Sequence, residues 1–300
     1  MACKEITLSE LMQLWLNRQK GKLRDSSYAS YAQVVKKHIL PALGPIPLRD
    51  LSANLLVQYK LKLEQNNLSA KTVWDIMTKL DSALHFAVSL GYLEHADFVP
   101  KVKLPDPSKP KTLSQEEKTV LIRYLSSQGN AESVGLLLCL TAGISASELC
   151  AAKWSDIDLE RNLIHLQTRL LRISNPEAET GGKKTKLVLV PTEERDISIP
   201  KELRNLLNSL QKPDAAYFLT GKPDCFMETR TLHNYLKKAL KACGLPQTIN
   251  FNQLKATFIS SSLKDGANLY ALGRAVGAKR VAHPGNKYQD FANFSSTLVK

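Results

Sequence analysis

Apolar residues recur at helical spacing through the first hundred positions. In ITLSELMQLWLNRQ, Leu8, Leu11, Met12, Trp15 and Leu16 share one face, with Thr7 or Ser9 placed to cap the start. RDSSYASYAQVVKKHILPALG carries a second stripe of Tyr28, Tyr31, Val34, Val35 and Ile39, and Pro41 and Gly44 predict its end. SANLLVQYKLKLEQNN reads as a third helix started by Ser52. SAKTVWDIMTKLDSALHFAVSLGYL reads as a fourth, started by Ser69 and closed by Gly91. Lys and Arg recur on the polar faces, so the pattern predicts a basic bundle of short amphipathic helices.

After Val99 the stripe stops. PKVKLPDPSKPKTLSQEE is rich in proline and lysine, which resist packing and favour an extended path. The expected organisation is a helical domain over 1–99, a linker over 100–111 and a second domain over 112–300. Thr112 or Ser114 caps SQEEKTVLIRYLSSQ in the capping-box manner, and the apolar helix ESVGLLLCLTAG follows. TAGISASELCAAKWSDIDLE then reads as helix, turn and strand. NLIHLQTRLLRIS, KLVLVP and RDISIP have the alternating, β-branched character of strands, the first two joined through PEAETGGKKTK. Helices return at PKELRNLLNSLQ, ETRTLHNYLKKALKACG and NQLKATFISSSLKDG. The fold class expected is mainly α with a small antiparallel β-sheet.

Charge narrows the function. The chain has 41 Lys and Arg against 28 Asp and Glu, a formal net charge of +13 over 300 residues. A field of that sign and size suits polyanions, above all nucleic acid. There is no apolar run near the length of a membrane span, and MACKEITLSELMQLW lacks the parts of a signal peptide, so a cytoplasmic protein is expected. The five cysteines are scattered without CxxC spacing, which argues against a structural zinc site; no metal is expected. Cys139 and Cys150 lie in apolar surroundings and read as small buried side chains.

The order of parts resembles the tyrosine recombinase (phage integrase) family over nearly the whole chain. The basic bundle is similar to that family's SAM-like core-binding domain. GISASELCAAKWSDIDLE is similar to its first box, with Glu148, Leu149, Trp154, Asp156 and Ile157 in place. RDISIPKEL resembles the end of its sheet, AYFLTGKPDCFMETRTLHNYLKKALKACGLPQTINFNQLKATF the run into its second box, and NKYQDF the segment bearing its nucleophilic tyrosine. The resemblance implies a tyrosine-recombinase catalytic-type domain after the linker. It also implies attack of a tyrosine hydroxyl on a DNA phosphodiester. Bond energy is kept in a 3′-phosphotyrosine, so no cofactor is needed. Two arginine forks suit the charge on the non-bridging oxygens, while a lysine and histidines manage the protons.

The matching positions depart from that list. Glu148 and Leu149 set a register that puts Ser145 where the first-box arginine belongs. Asn252 and Lys255 fall at the second-box histidine and arginine, with Ala256 after them, and Ala278 in AVGAKR falls at a later histidine. The sheet lysine is expected in the turn before RDISIP, which here reads VPTEER, while Lys183, Lys184 and Lys186 come earlier. Tyr288 matches the nucleophile, and His283 is a candidate substitute for a missing histidine. Losing one positioned donor to a transition-state oxyanion costs about 3–4 kcal/mol. Two lost forks and a missing acid together imply ~10⁶ or more in rate, discounted because such groups act as a unit.

The expected function is therefore a DNA-binding member of the family, impaired in strand cleavage and acting as a regulator or accessory in recombination and integration. One alternative is an active site-specific recombinase that uses Tyr288 in a rearranged site. Another is a protein-interaction module that has lost DNA binding. Candidate DNA contacts are Lys183, Lys184, Lys186, Arg230, Asn234 and Lys237. Double-stranded DNA is the expected partner, and the resemblance implies a tetramer on two sites.

Overall fold

The computed structural model describes residues 6–104, 112–174, 185–277, 280–282 and 288–290, the last two by backbone only. The chain divides into two compact units, Met1–Lys109 with Arg172–Lys186, and Pro110–Leu171 with Leu187–Lys300.

Side-chain caps start most helices of the first unit. Thr7, not Ser9, begins α1 (Leu8–Gln19), its hydroxyl taking the Glu10 N–H while Glu10 reaches back to the Thr7 N–H. Ser52 and Ser69 cap α4 (Ala53–Gln65) and α5 (Ala70–Ser89). α5 packs on both α1 and α4. Its stripe of Val73, Ile76, Leu80 and Leu84 meets Leu8, Leu11 and Trp15 of α1 and Leu56 of α4 in one apolar core. Trp15 is stacked on Tyr31 with ring centroids 5.6 Å apart.

α2 (Asp25–Val34) continues past Pro41, and the helical path closes at Gly44, the other end the pattern predicts. It passes through a π turn, Val35–Ile39, into α3 (Leu40–Leu43). Pro41 has no N–H to give to the preceding turn, and the helix answers by widening. The Leu40 N–H reaches back to the Val35 carbonyl, and the His38 carbonyl accepts the Tyr59 hydroxyl at 2.9 Å. Val35 and Ile39 are thereby both buried while Lys36 and Lys37 stay exposed.

In the second unit Ser114 caps α6 (Gln115–Gln128) with a full capping box. α7 (Ala131–Ala142) is apolar on every side and lies at the centre, touching α6, α9 (Lys201–Leu210), α10 (Thr229–Ala242) and α11 (Phe251–Lys264). Gly143 ends it in the left-handed region, at φ 72°. The one-turn α8 (Ala146–Leu149) follows. α12 (Leu269–Ala275), capped by Asn268, is an element the sequence pattern did not predict.

A three-stranded sheet runs in the order β1 (Ile157–Asp158), β2 (Leu163–Ser174), β3 (Thr185–Ser198). The expected strands KLVLVP and RDISIP are in fact one continuous strand. Pro191 is tolerated inside it because β3 is an edge of the sheet. VPTEER is consequently strand and not a turn. The β2–β3 connection holds Lys183 and Lys184, which lie outside the described residues, while Lys186 is exposed on β3. A separate pair joins β4 (Arg280–Ala282) to β5 (Tyr288–Asp290) in antiparallel register. The chain is thus mainly helical with a small antiparallel sheet.

Cys139 and Cys150 are buried, and burial pushes the Cys150 thiol up to about 12. Among the described residues no helix is long and apolar enough to cross a membrane, and no His, Cys, Asp and Glu group could hold a metal ion.

Candidate active site

Ser145 is a helix cap. It stands in extended backbone at the start of α8, and its Oγ accepts the Glu148 N–H at 3.3 Å. The Ser145 hydroxyl and N–H both donate to Glu148 Oε2, at 2.6 and 3.0 Å. Serine ranks among the best residues for this position. Its side chain is turned inward to its own helix and carries no charge for an outside anion.

Glu148 in turn faces a cation from the sheet. Arg195 Nη1 lies 2.7 Å from Glu148 Oε1, with side-chain exposures of 8% and 7%. Burial alone would raise the Glu148 carboxyl, but bonds from Arg195 and Ser145 outweigh it and hold the group below its ordinary range. Arg195 Nε also donates to the Ala275 carbonyl at 2.9 Å, at the end of α12. Its Nη2 is buried and has no partner among the described residues. Gly277, at φ +59°, leaves room for this guanidinium: a Cβ there would stand 2.9 Å from Nη1.

Lys255 projects from α11 toward the same centre, and its Nζ donates to the Val276 carbonyl at 2.5 Å. Burial lowers the ammonium pKa most; Glu148 pulls it up and Arg195 pushes it down. Three elements distant in sequence, α8, β3 and α11, thus place one carboxylate and two cations against the last turn of α12.

The other matched positions are dispersed or undescribed. Asn252 is exposed on the first turn of α11, its N–H held by the Asn250 cap at 3.0 Å. Ala278, His283, Lys183 and Lys184 lie outside the described residues. Tyr288 opens β5, its backbone paired with Ala282. Arg230, Asn234 and Lys237 are all exposed on α10 at helical spacing that puts them on one face.

Arg195 is the residue the sequence reading missed. Its signal was the period of two along the end of β3, where Arg195, Ile197 and Ile199 alternate inward against exposed Glu194, Asp196 and Ser198. The outward acids have their own partner. His165 Nδ1 lies 2.7 Å from Asp196 Oδ1 and Nε2 lies 3.1 Å from Glu194 Oε1, and these bonds raise the imidazole pKa.

A helical unit followed by a mixed unit, with the end of a first-box helix, a sheet and a later helix converging on one centre, is the architecture of an integrase-type protein. Residues 111–293 match the phage integrase family, and residues 7–63 match the phage integrase N-terminal SAM-like domain. The chain belongs to the phage integrase family of tyrosine recombinases. It is 23% identical to a tyrosine recombinase XerC-like protein of Caldanaerobacter subterraneus subsp. tengcongensis, over 95% of this chain and 79% of that one. It is 22% identical to the transposase from transposon Tn916 of Enterococcus faecalis, over 99% and 77%. Among solved structures, the Tn1549 transposon integrase in complex with transposon right end DNA superposes with a TM-score of 0.73 at 18% identity, over 91% of each chain. A lambda integrase dimer bound to a COC′ core site gives 0.67 at 16%, over 98% of this chain and 100% of that one. These likenesses establish the fold.

Proposed function

We propose that this chain binds duplex DNA, has lost most of its strand-cleaving power, and acts as an accessory or regulator of recombination. The observation that carries the reading is the state of the cluster around Glu148. At the first-box arginine position stands a neutral serine engaged as a cap, and the nearby cations Arg195 and Lys255 are bonded to protein groups. Lys255 keeps a positive charge at the second-box arginine position but has no bidentate fork. In this reading residues 1–99 form a core-binding domain, 100–111 a linker, and 112–300 a catalytic-type domain that retains its scaffold.

DNA binding is supported by family membership and by the net charge of +13. Relatives solved on DNA support the same reading, since the folds agree. Most of the affinity comes from phosphate contacts and counterion release, so it falls steeply with salt. Replacing both Arg230 and Lys237 by Ala is expected to weaken duplex binding and to reduce the slope of log K against log salt by about 2. A salt titration by fluorescence anisotropy measures this. Affinity that stays at the weak, non-specific level and is unchanged by the double substitution would speak instead for a protein-interaction module.

A further inference from the structure

Both cations of the centre are bonded to the end of α12, Arg195 through Nε to the Ala275 carbonyl and Lys255 through Nζ to the Val276 carbonyl. The last carbonyls of a helix lack partners within it, and its dipole favours positive charge there. The two attachments differ in kind. Arg195 is also paired with buried Glu148, so leaving Ala275 would risk stranding a buried carboxylate. Lys255 has a flexible stem, is only partly buried, and among the described residues meets the end of α12 through one bond to a neutral carbonyl.

We propose that Lys255 is a DNA-responsive latch: a backbone phosphate of bound duplex draws its ammonium off the Val276 carbonyl and loosens the C-terminal turn of α12, while Arg195 keeps hold of Ala275. The inference rests on the reading that duplex DNA reaches this centre. An anionic phosphate oxygen is a stronger acceptor than a neutral carbonyl, and the exchange needs only rotation about the lysine stem. Burial disfavours the ammonium here, so an approaching anion has more to stabilise than it would at an exposed lysine. The position of the latch gives it consequence. β4 follows α12 and packs against it, and β4 pairs with β5, where Tyr288 stands. The turn at Val276 and Gly277, which Lys255 holds, therefore directly precedes the strand pair that carries Tyr288.

Hydrogen exchange on peptides spanning residues 270–277 tests this, with a mixed-sequence duplex at saturation and binding confirmed on the same samples by native gel. The Val276 and Gly277 amides donate to the Leu272 and Arg274 carbonyls at 2.9 and 3.0 Å. They are expected to exchange about tenfold faster with duplex than without, the scale set by losing one charge-assisted bond. Lys255→Met is expected to show the faster exchange without duplex, and no further change with it. Saturated duplex with unchanged or slower exchange at these two amides would overturn the latch alone. Duplex that fails to bind even at low salt would overturn the DNA-binding reading and the latch with it. The wild-type comparison decides the matter even if Lys255→Met does not fold.

Discussion

Arg195→Met is expected to destabilise the second unit by about 3–5 kcal/mol, the range for removing one partner of a buried ion pair. The loss is not the value of one contact. It leaves Glu148, 7% exposed, as a charge without its guanidinium, and it frees the Ala275 carbonyl as well. Urea unfolding of the single variant, of Glu148→Gln and of the double variant separates these effects. The double variant should be less destabilised than the sum, because the stranded charge is gone. The pH dependence has a definite sign. The Glu148 pKa is lowered in the fold from 4.5, so its contribution is complete well above that value and is lost as pH falls through the folded pKa. Wild type should therefore lose stability below about pH 4.5 more steeply than Glu148→Gln.

Gly143→Ala is expected to cost about 2–5 kcal/mol, the left-handed backbone and overpacking acting together. At φ +72° the added Cβ would meet Phe258 at 2.6 Å and Val276 at 2.8 Å. Gly129 is the matched control: it ends α6 at φ +63°, and nothing lies within 4 Å of its built Cβ. Gly129→Ala carries the backbone strain without the collision, so it should cost only about 1–2 kcal/mol. The difference between the two melting shifts measures how tightly the α7 end packs on α11 and on the turn after α12. Equal shifts would mean that this packing is loose.

Much of the helical scaffold was legible because its signals are local. Ser52, Ser69 and Ser114 cap helices whose apolar stripes follow within a turn, and α7 is apolar enough to read as a helix from its sequence. What escaped depended on partners far along the chain. Pro41 reads as a stop, yet a π turn carries the helix past it, with the Tyr59 hydroxyl on the carbonyl of His38. Pro191 reads as a break between strands, yet an edge strand tolerates it. That misreading placed a turn at VPTEER and hid Arg195, which the strand's alternation turns inward to Glu148. α12 is too short to show a stripe, and it matters chiefly because Arg195 and Lys255 bind its end. Ser145 was visible as an anomaly from the sequence. That it caps α8 is also local, through the S-x-x-E spacing to Glu148.

A nicked duplex built from DNA flanking the gene separates binding from cleavage in one experiment. Nicking traps any covalent phosphotyrosine, which a denaturing gel resolves as a retarded band. Wild type and Tyr288→Phe are run side by side, with a native gel of the same mixtures. A salt-sensitive native shift is expected for both proteins, and a covalent band for neither. A covalent band in wild type that disappears in Tyr288→Phe would overturn the loss of cleavage and show that the cluster around Glu148 still supports it.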